Sequence, residues 1–317
     1  MSLARVNWRE LLSKYGLVLA LLVLIIILAL LSDRFLTTSN ALNVLRQIAV
    51  NAIIACGMTV VIITAGIDLS VGSLLALVGV LGAGMATGDV PPALAMGATL
   101  GIGALLGAFN GFFVGYVRIA PFIVTLAGLT IFRGLALAFT DGSPISGLPP
   151  AYFAIGYGSF LGIPTPVWIM IGFMLLTHFL LRFTPFGRSV YAIGGNEEAA
   201  RLSGIPVKRV KMLTYAYAGL ASALAAIVLT GRLNSAQPSA GYMFELDAIA
   251  AVVVGGTSLS GGRGAVFGTL IGALIIGVIN NGMNLLNVPS FYQQVVKGGV
   301  ILGALLIERL ISSRNQT

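Results

Sequence analysis

Residues 184–211, TPFGRSVYAIGGNEEAARLSGIPVKRVK, form the one long polar segment in a chain that is otherwise made of apolar runs. Basic residues outnumber acidic ones in this polar segment. The basic residues are Arg188, Arg201, Lys208, Arg209 and Lys211, and the acidic residues are Glu197 and Glu198. Because short loops rich in Lys and Arg are retained on the cytoplasmic side of a membrane, we expect the polar segment to face the cell interior.

A short helix is predicted inside the polar segment. Asn196 can cap its first turn, and Gly204 can end it. Glu197 and Glu198 lie in that first turn, where the positive end of a helix stabilises carboxylates. Arg201 can pair with Glu197 across one helical turn. The sequence therefore predicts either a short amphipathic helix on which a partner protein can act, or an ordinary solvated loop.

The composition places the chain in a membrane. Of its 317 residues 57% are hydrophobic and only 9% are charged, whereas about a quarter of the residues in a soluble domain are charged. Apolar runs near 20 residues recur, which suits helices crossing a bilayer, and the shorter alternating strands of a membrane barrel are absent. The net charge of +8 comes from clusters at span ends, so no nucleic acid is expected as a partner.

An all-α, polytopic fold with about ten transmembrane helices and both termini in the cytoplasm is predicted. The spans are expected near residues 17–31, 43–64, 74–86, 93–114, 121–140, 166–182, 212–230, 244–254, 266–286 and 291–307. No small-x-small cleavage pattern follows the first run, so we expect a retained span instead of a signal peptide. Most basic residues then fall on the inner side, which supports this topology. They are Arg5, Arg9, Lys14, Arg118, Arg188, Arg201, Lys208, Arg209, Lys211, Arg263, Arg309 and Arg314, while chiefly Arg34, Arg46 and Arg232 fall outside.

Glycines interrupt or line several of these helices. Gly103, Gly107, Gly111 and Gly115 recur every four residues, so one face of their helix is nearly bare backbone and allows another helix to pack closely. The stretches ITAGIDLSVGS and VVGGTSLSGG are similar to each other, and each predicts a helix broken by glycines. Duplicated halves with such breaks are common in transporters.

Several polar residues lie within or beside the apolar runs. Asp68 is either a cap of the third span or a contact for a transported solute, because a carboxylate at membrane depth is costly. The amides of Asn51, Asn110, Asn280, Asn281 and Asn284 also need partners. They either line a polar path, for which Asp68, Asn51, Asn110, Asn280 and Asn284 are the candidates, or form hydrogen bonds between helices.

Catalytic chemistry is poorly supported. The chain lacks the Gly-x-x-x-x-Gly-Lys-Ser/Thr pattern of an ATP-binding loop. His178 is its only histidine, and Cys56 its only cysteine, so no metal site, cofactor site or internal disulfide is predicted. We therefore expect a transport subunit that is not an enzyme.

Five longer motifs together resemble the membrane permease subunits of bacterial ABC importers for monosaccharides, and among these the ribose permeases. They are GMTVVIITAGIDLSVGS (57–73), PTPVWIM (164–170), GGNEEAARLSGIPV (194–207), SAQPSAG (235–241) and ELDAIAAVVVGGTSLSGG (245–262). The resemblance runs nearly end to end. It implies a single permease domain over residues 1–317 of a multi-pass protein of the bacterial inner membrane.

The resemblance also implies partners. These are a second copy of the permease in a homodimer, an ABC ATPase on the cytoplasmic face and a periplasmic sugar-binding protein, all within membrane lipid. The ATPase is expected to engage the polar segment at Asn196, Glu197, Glu198, Ala200, Arg201, Ser203 and Gly204. Arg34 and Arg232 are candidate contacts for the binding protein. Ribose is the expected solute, although permeases for other pentoses, galactose and a quorum-signal sugar derivative share these motifs.

The rival hypothesis is an ion-coupled secondary sugar transporter that acts alone. Such a transporter needs carboxylates within the membrane to carry protons or to bind sodium, and Asp68 is the plausible one. A purely structural membrane protein is a third possibility, and it would carry no solute.

Overall fold

The computed structural model describes residues 8–314, and within that range the side chains of residues 16–303 and 306. Arg5, expected on the inner side, and both chain ends lie outside the described residues. All ten predicted spans form helices. The helices are α1 (Trp8–Leu31), α2 (Thr38–Ile63), α3 (Val71–Thr87), α4 (Pro92–Phe112), α5 (Pro121–Thr140), α6 (Pro150–Gly156), α7 (Thr165–Phe183), α8 (Pro185–Gly195), α9 (Glu197–Leu202), α10 (Val207–Leu233), α11 (Phe244–Val254), α12 (Val266–Leu285) and α13 (Ser290–Arg314).

Six of these helices are long and apolar enough to cross a membrane. They are α2, α4 with the π-helical turn Phe113–Val117 that continues it, α5, α7, α10 and α12. The apolar helix α3 and the apolar part of α1, Gly16–Leu31, are shorter. The expected all-α, multi-pass membrane fold is therefore confirmed.

Three helices form the centre of the molecule. In their most apolar stretches, 83% of the residues of α2 and 72% of those of α10 are buried, against 22% in α4 and in α5, and most residues of the shorter helix α3 are buried as well. Large apolar side chains are exposed on the outer helices, among them Leu105 on α4 and Ile123 on α5, as expected for surfaces that face lipid tails. The core therefore contains α2, α3 and α10, and helices with an apolar outer face surround it.

The glycine face of α4 packs directly on α10. A Cβ placed on Gly107 would overlap the carbonyl oxygen of Tyr215, and one on Gly111 would lie 2.7 Å from the Met212 Cα. Gly103 on α4 and Gly115 in the following π-helical turn also meet α10. The four glycines therefore contact α10 at successive turns. The predicted close helix contact is confirmed.

Prolines and glycines set the helix ends. Proline occupies one of the first two positions of α4, α5, α6, α7 and α8, where its missing amide hydrogen costs nothing. The predicted breaks after α2 and α11 are present: Ala65 has φ +58°, and Gly261 has φ +83°. Two-residue strands pair in antiparallel fashion, β1 (Ile145–Ser146) with β4 (Ser235–Ala236), and β2 (Ser159–Phe160) with β3 (Ile163–Pro164).

Candidate functional site

The helix predicted within the polar segment is α9. The Asn196 side chain accepts a hydrogen bond of 2.9 Å from the Ala199 amide and so caps the first turn. Gly204 follows the helix with φ +84°, a conformation that favours glycine. Ala200 is buried, whereas Leu202 is 74% exposed. The helix therefore rests on one small side chain and presents most of its surface, including Ser203, outward.

Ion pairs hold α9 in a different pattern from the one predicted. Arg201 pairs with Glu198 instead of Glu197, so that detail of the prediction is wrong. Glu197 instead accepts a hydrogen bond of 2.6 Å from the Lys211 ammonium group on α10. Arg201 therefore pairs with Glu198, three residues before it in the same helix. The hydrogen bonds from Arg201 lower the pKa of the Glu198 carboxyl group. The pair formed by Glu197 ties α9 to the start of α10.

Backbone contacts join the polar segment to the rest of the bundle. A Cβ on Gly194, in the last turn of α8, would overlap the carbonyl oxygen of Ile63 at the end of α2 and would also meet the Gly262 amide. The Gly262 amide in turn donates a hydrogen bond of 2.9 Å to the Ile63 carbonyl. Three segments far apart in sequence thus meet through backbone atoms, directly before α9.

A polar cavity of about 280 Å³ lies towards the other end of α2, between α2, α10, α11, α12 and α13. Three of the predicted path residues, Asn51, Asn280 and Asn284, line it. The Oδ1 atoms of Asn51 and Asn280 are buried and accept no hydrogen bond from any described residue. A buried acceptor without a donor is costly, so the lining of the polar cavity contains two amide oxygens whose hydrogen bonding is incomplete.

The polar cavity also contains an ion pair that the sequence analysis missed. Lys297 on α13 lies 2.9 Å from the carboxylate of Asp247 on α11, and only 5% of the Asp247 side chain is exposed. One signal could have revealed it: Asp247 follows Glu245 in the first turn of one apolar run, Lys297 lies near the start of another, and the two runs begin on the same side of the predicted topology. Charges of opposite sign at matching depth favour a pair.

The other two path candidates belong to a second cluster. Asp68 is fully buried between α2 and α3, where its Oδ1 accepts hydrogen bonds from the amide and the hydroxyl group of Ser70, at 2.8 and 2.6 Å. Asn110 donates to the same hydroxyl group at 2.8 Å. Gly128 on α5 packs against this cluster, since a Cβ there would lie 3.0 Å from the Asn110 amide oxygen. Asp68 and Asn110 do not line the polar cavity, and Asp68 closes the turn that precedes α3.

The two arginines predicted to contact a binding protein have different surroundings. Arg34 is exposed in the turn between α1 and α2. Arg232 is half-buried at the end of α10 and lines the polar cavity beside Asn51 and Asp247. The structure therefore places Arg232 in the lining of the polar cavity, whereas Arg34 does not line it.

Comparisons with known proteins assign the family. The protein-family model described as "branched-chain amino acid transport system / permease component" matches residues 40–305. The ribose import permease protein of Bacillus subtilis is 56% identical over 96% of this chain and 95% of its own, and that of Escherichia coli is 51% identical over 92% of each. The D-allose transport system permease protein of Escherichia coli is 42% identical over 94% and 92%. No solved structure matches. The chain therefore belongs to this family of membrane transport permeases.

Proposed function

We propose that this chain is the permease subunit of an ABC importer that carries ribose across the bacterial inner membrane into the cytoplasm. A separate ATPase supplies the energy, because the chain has no ATP-binding loop, and a periplasmic binding protein delivers the sugar. Two copies form the assembled permease, with the polar segment and both termini on the cytoplasmic side. The choice of ribose is supported by identities of 51–56% to two ribose import permeases over more than nine-tenths of each chain.

The observation that carries the proposal is the polar cavity. Its lining carries the amide side chains of Asn51, Asn280, Asn284 and Gln293 beside the ion pair of Asp247 with Lys297. A monosaccharide carries several hydroxyl groups, each of which both donates and accepts hydrogen bonds. The cavity of about 280 Å³ lies just under the range of roughly 300–1,000 Å³ that holds small-molecule ligands. It therefore suits a small, hydroxyl-rich solute.

Helix α2 gives the proposed coupling a physical route. Its middle carries Asn51 into the lining of the polar cavity, and its last residue, Ile63, contacts Gly194 directly before α9. When the ATPase binds and hydrolyses ATP, it displaces α9, and the backbone contact at Gly194 passes that displacement to α2. Rigid elements with two packed arrangements then alternate the access of the cavity between the two sides.

The ion-coupled alternative is not favoured. The buried acidic residues in the described part of the chain are Asp68 and Asp247. Asp68 is engaged by Ser70, and Asp247 is paired with Lys297. Asp247 would have to lose Lys297 before it could carry a proton. The Oδ2 atom of Asp68 has no partner among the described residues, but Asp68 does not line the polar cavity.

Reconstitution tests this function. In proteoliposomes, labelled ribose should enter only when the ATPase, the binding protein and ATP are present, whereas a proton or sodium gradient alone should drive no uptake. D-Allose, offered in the same assay with the same binding protein, should enter more slowly. Gradient-driven uptake by the permease alone would refute the proposal.

A cavity variant tests the path. We expect Asn280→Leu to lower ribose uptake by up to about tenfold, since one hydrogen bond contributes about 0.5–1.5 kcal/mol. The control is Asn43→Leu, an exposed position on α2 outside the polar cavity. Equal uptake by the two variants would remove Asn280 from the path.

A further inference from the structure

A basic cleft of about 470 Å³ lies between the end of α7, the start of α8 and the start of α12. Arg182 and Arg188 line it together with His178 and Tyr191, and no acidic residue does. The Tyr191 hydroxyl group donates a hydrogen bond of 2.8 Å to the Gly264 carbonyl, which joins α8 to the segment before α12 and fixes the cleft wall. The proposed function makes no use of this cleft.

The charges in the basic cleft are not compensated. The ion pairs among described side chains are Arg201–Glu198, Lys211–Glu197 and Lys297–Asp247, so neither Arg182 nor Arg188 takes part in one. Val266 at the start of α12 forms part of the wall, and that helix end has no side-chain cap. A helix N-terminus carries partial positive charge. Arg182, Arg188 and the N-terminus of α12 therefore all attract an anion.

The surroundings of the basic cleft indicate which anion. Phe179, Phe183 and Phe267 are 55%, 63% and 54% exposed around it, and the His178 ring lies 5.0 Å from that of Phe267. An exposed patch of large apolar side chains marks a surface that contacts a membrane or another protein. A phospholipid has the matching arrangement, with a phosphate next to its acyl chains, and arginine binds phosphate through two parallel hydrogen bonds.

We propose that the basic cleft binds the phosphate of an anionic phospholipid headgroup, with Arg182 and Arg188 as its donors and the acyl chains lying along the exposed phenyl rings. Basic pockets between transmembrane helices hold anionic headgroups in this way. The site lies beside α8, which precedes α9, so the bound lipid would brace the segment on which the ATPase is proposed to act. The binding itself does not depend on which sugar is carried.

Titration of the purified full-length chain with dioctanoyl phosphatidylglycerol, dioctanoyl phosphatidylcholine and inorganic phosphate tests this site. Binding is read by native mass spectrometry and by the shift in thermal unfolding temperature. We expect phosphatidylglycerol to bind and to raise the unfolding temperature, phosphatidylcholine to do neither, and phosphate to bind far more weakly. Phosphate binding as tightly as phosphatidylglycerol would overturn the lipid assignment, because the acyl chains would then contribute nothing.

Variants locate the binding. In Arg182→Gln with Arg188→Gln, the affinity for phosphatidylglycerol should fall about 30-fold, or about fivefold for each arginine. The control, Lys208→Gln with Arg209→Gln, removes the same charge outside the basic cleft and should bind normally. If the double variant fails to fold, Arg188→Gln alone, at an exposed position, should bind about fivefold more weakly.

Two outcomes would refute the site. The first is unchanged phosphatidylglycerol binding by the variant that lacks both arginines, or by Arg188→Gln where that variant replaces it. The second is weaker ATPase binding by the same variant in phosphatidylcholine vesicles while its phosphatidylglycerol binding is normal, since the basic cleft would then belong to the ATPase interface.

Discussion

Asp247 and Lys297 place opposite charges in the wall of the polar cavity, on α11 and α13. Because only 5% of the Asp247 side chain is exposed, Lys297→Met would leave a buried carboxylate without its partner. Breaking a buried pair in this way costs about 3–5 kcal/mol. We therefore expect Lys297→Met to lower the thermal unfolding temperature of the purified permease markedly.

The double variant Asp247→Asn with Lys297→Met tests whether the stability lost in Lys297→Met comes from the unpaired Asp247 carboxylate. It removes both charges, so it should recover most of the stability lost in Lys297→Met. If Lys297→Met unfolds at the temperature of the unsubstituted chain, the ion pair contributes nothing to the fold.

At the level of single residues, sequence reasoning identified polar groups in apolar runs but not how they group. Asn51, Asn280 and Asn284 do share one cavity, whereas Asn110 joins Asp68 through Ser70. The cost of burying an amide can be inferred from composition. Which neighbour forms a hydrogen bond with that amide depends on which helices pack together, and short stretches of sequence do not determine this.

Among the elements, the contact between α4 and α10 depends on the missing side chains of one glycine face. Gly107→Ala must push the helices apart, because its Cβ would overlap the Tyr215 carbonyl oxygen. We expect a loss of about 1–3 kcal/mol, as for other overpacked contacts, measured by thermal unfolding and by dimer yield. Gly101→Ala on the same helix is the control: its Cβ would meet no atom within 4 Å, and alanine favours a helix. Equal stability of both variants would contradict the tight-packing interpretation.

Helix α9 allows a separate test of the proposed coupling. Arg201→Glu removes the exposed ion pair with Glu198, and exposed pairs add little stability. Insertion, dimerisation and binding-protein docking should therefore stay normal, while ATPase binding and ribose uptake are lost. Arg209→Glu reverses a charge at an exposed site on α10 and is the control. Normal uptake by Arg201→Glu would make α9 a passive linker.

The limits of α9 could be predicted because Asn196 and Gly204 have strong local preferences. The sequence analysis predicts only one short helix in the polar segment, whereas the structure has a second, α8, over residues 185–195. Its apolar residues Phe186, Val190 and Ile193 recur at helical spacing, and the last two are buried. That spacing was the available signal. The π-helical turn Phe113–Val117 carries no comparable signal in its sequence.

On the scale of the whole molecule, α2 connects the polar cavity with the polar segment. Residues near its middle line the cavity, and its last residue, Ile63, contacts Gly194 in the polar segment. The order of the apolar helices and the membrane class follow from hydropathy, which is a property of each segment alone. The junction of Gly194, Ile63 and Gly262 is a property of the assembled bundle, since residues far apart in sequence meet there. The sequence predicts a helix break at Gly262, within VVGGTSLSGG, but not that this break touches Gly194.

The contact of Gly194 with Ile63 and Gly262 allows a test of how the polar segment and the polar cavity are coupled. Gly194→Ala places a methyl group where the Ile63 carbonyl and the Gly262 amide now lie. Relieving such an overlap by backbone movement costs about 1–3 kcal/mol, too little to unfold most proteins but enough to separate α8 from α2. The polar cavity lies away from this junction and should keep its geometry. We therefore expect the assembled importer with Gly194→Ala to dock its binding protein and to hydrolyse ATP, while ribose uptake per ATP collapses. Gly195→Ala is the matched control, because the adjacent Cβ would meet no atom within 4 Å. If Gly194→Ala transports ribose with the same yield per ATP as Gly195→Ala, the contact between α8 and α2 does not transmit the motion, and the path from ATPase to cavity must run through another helix.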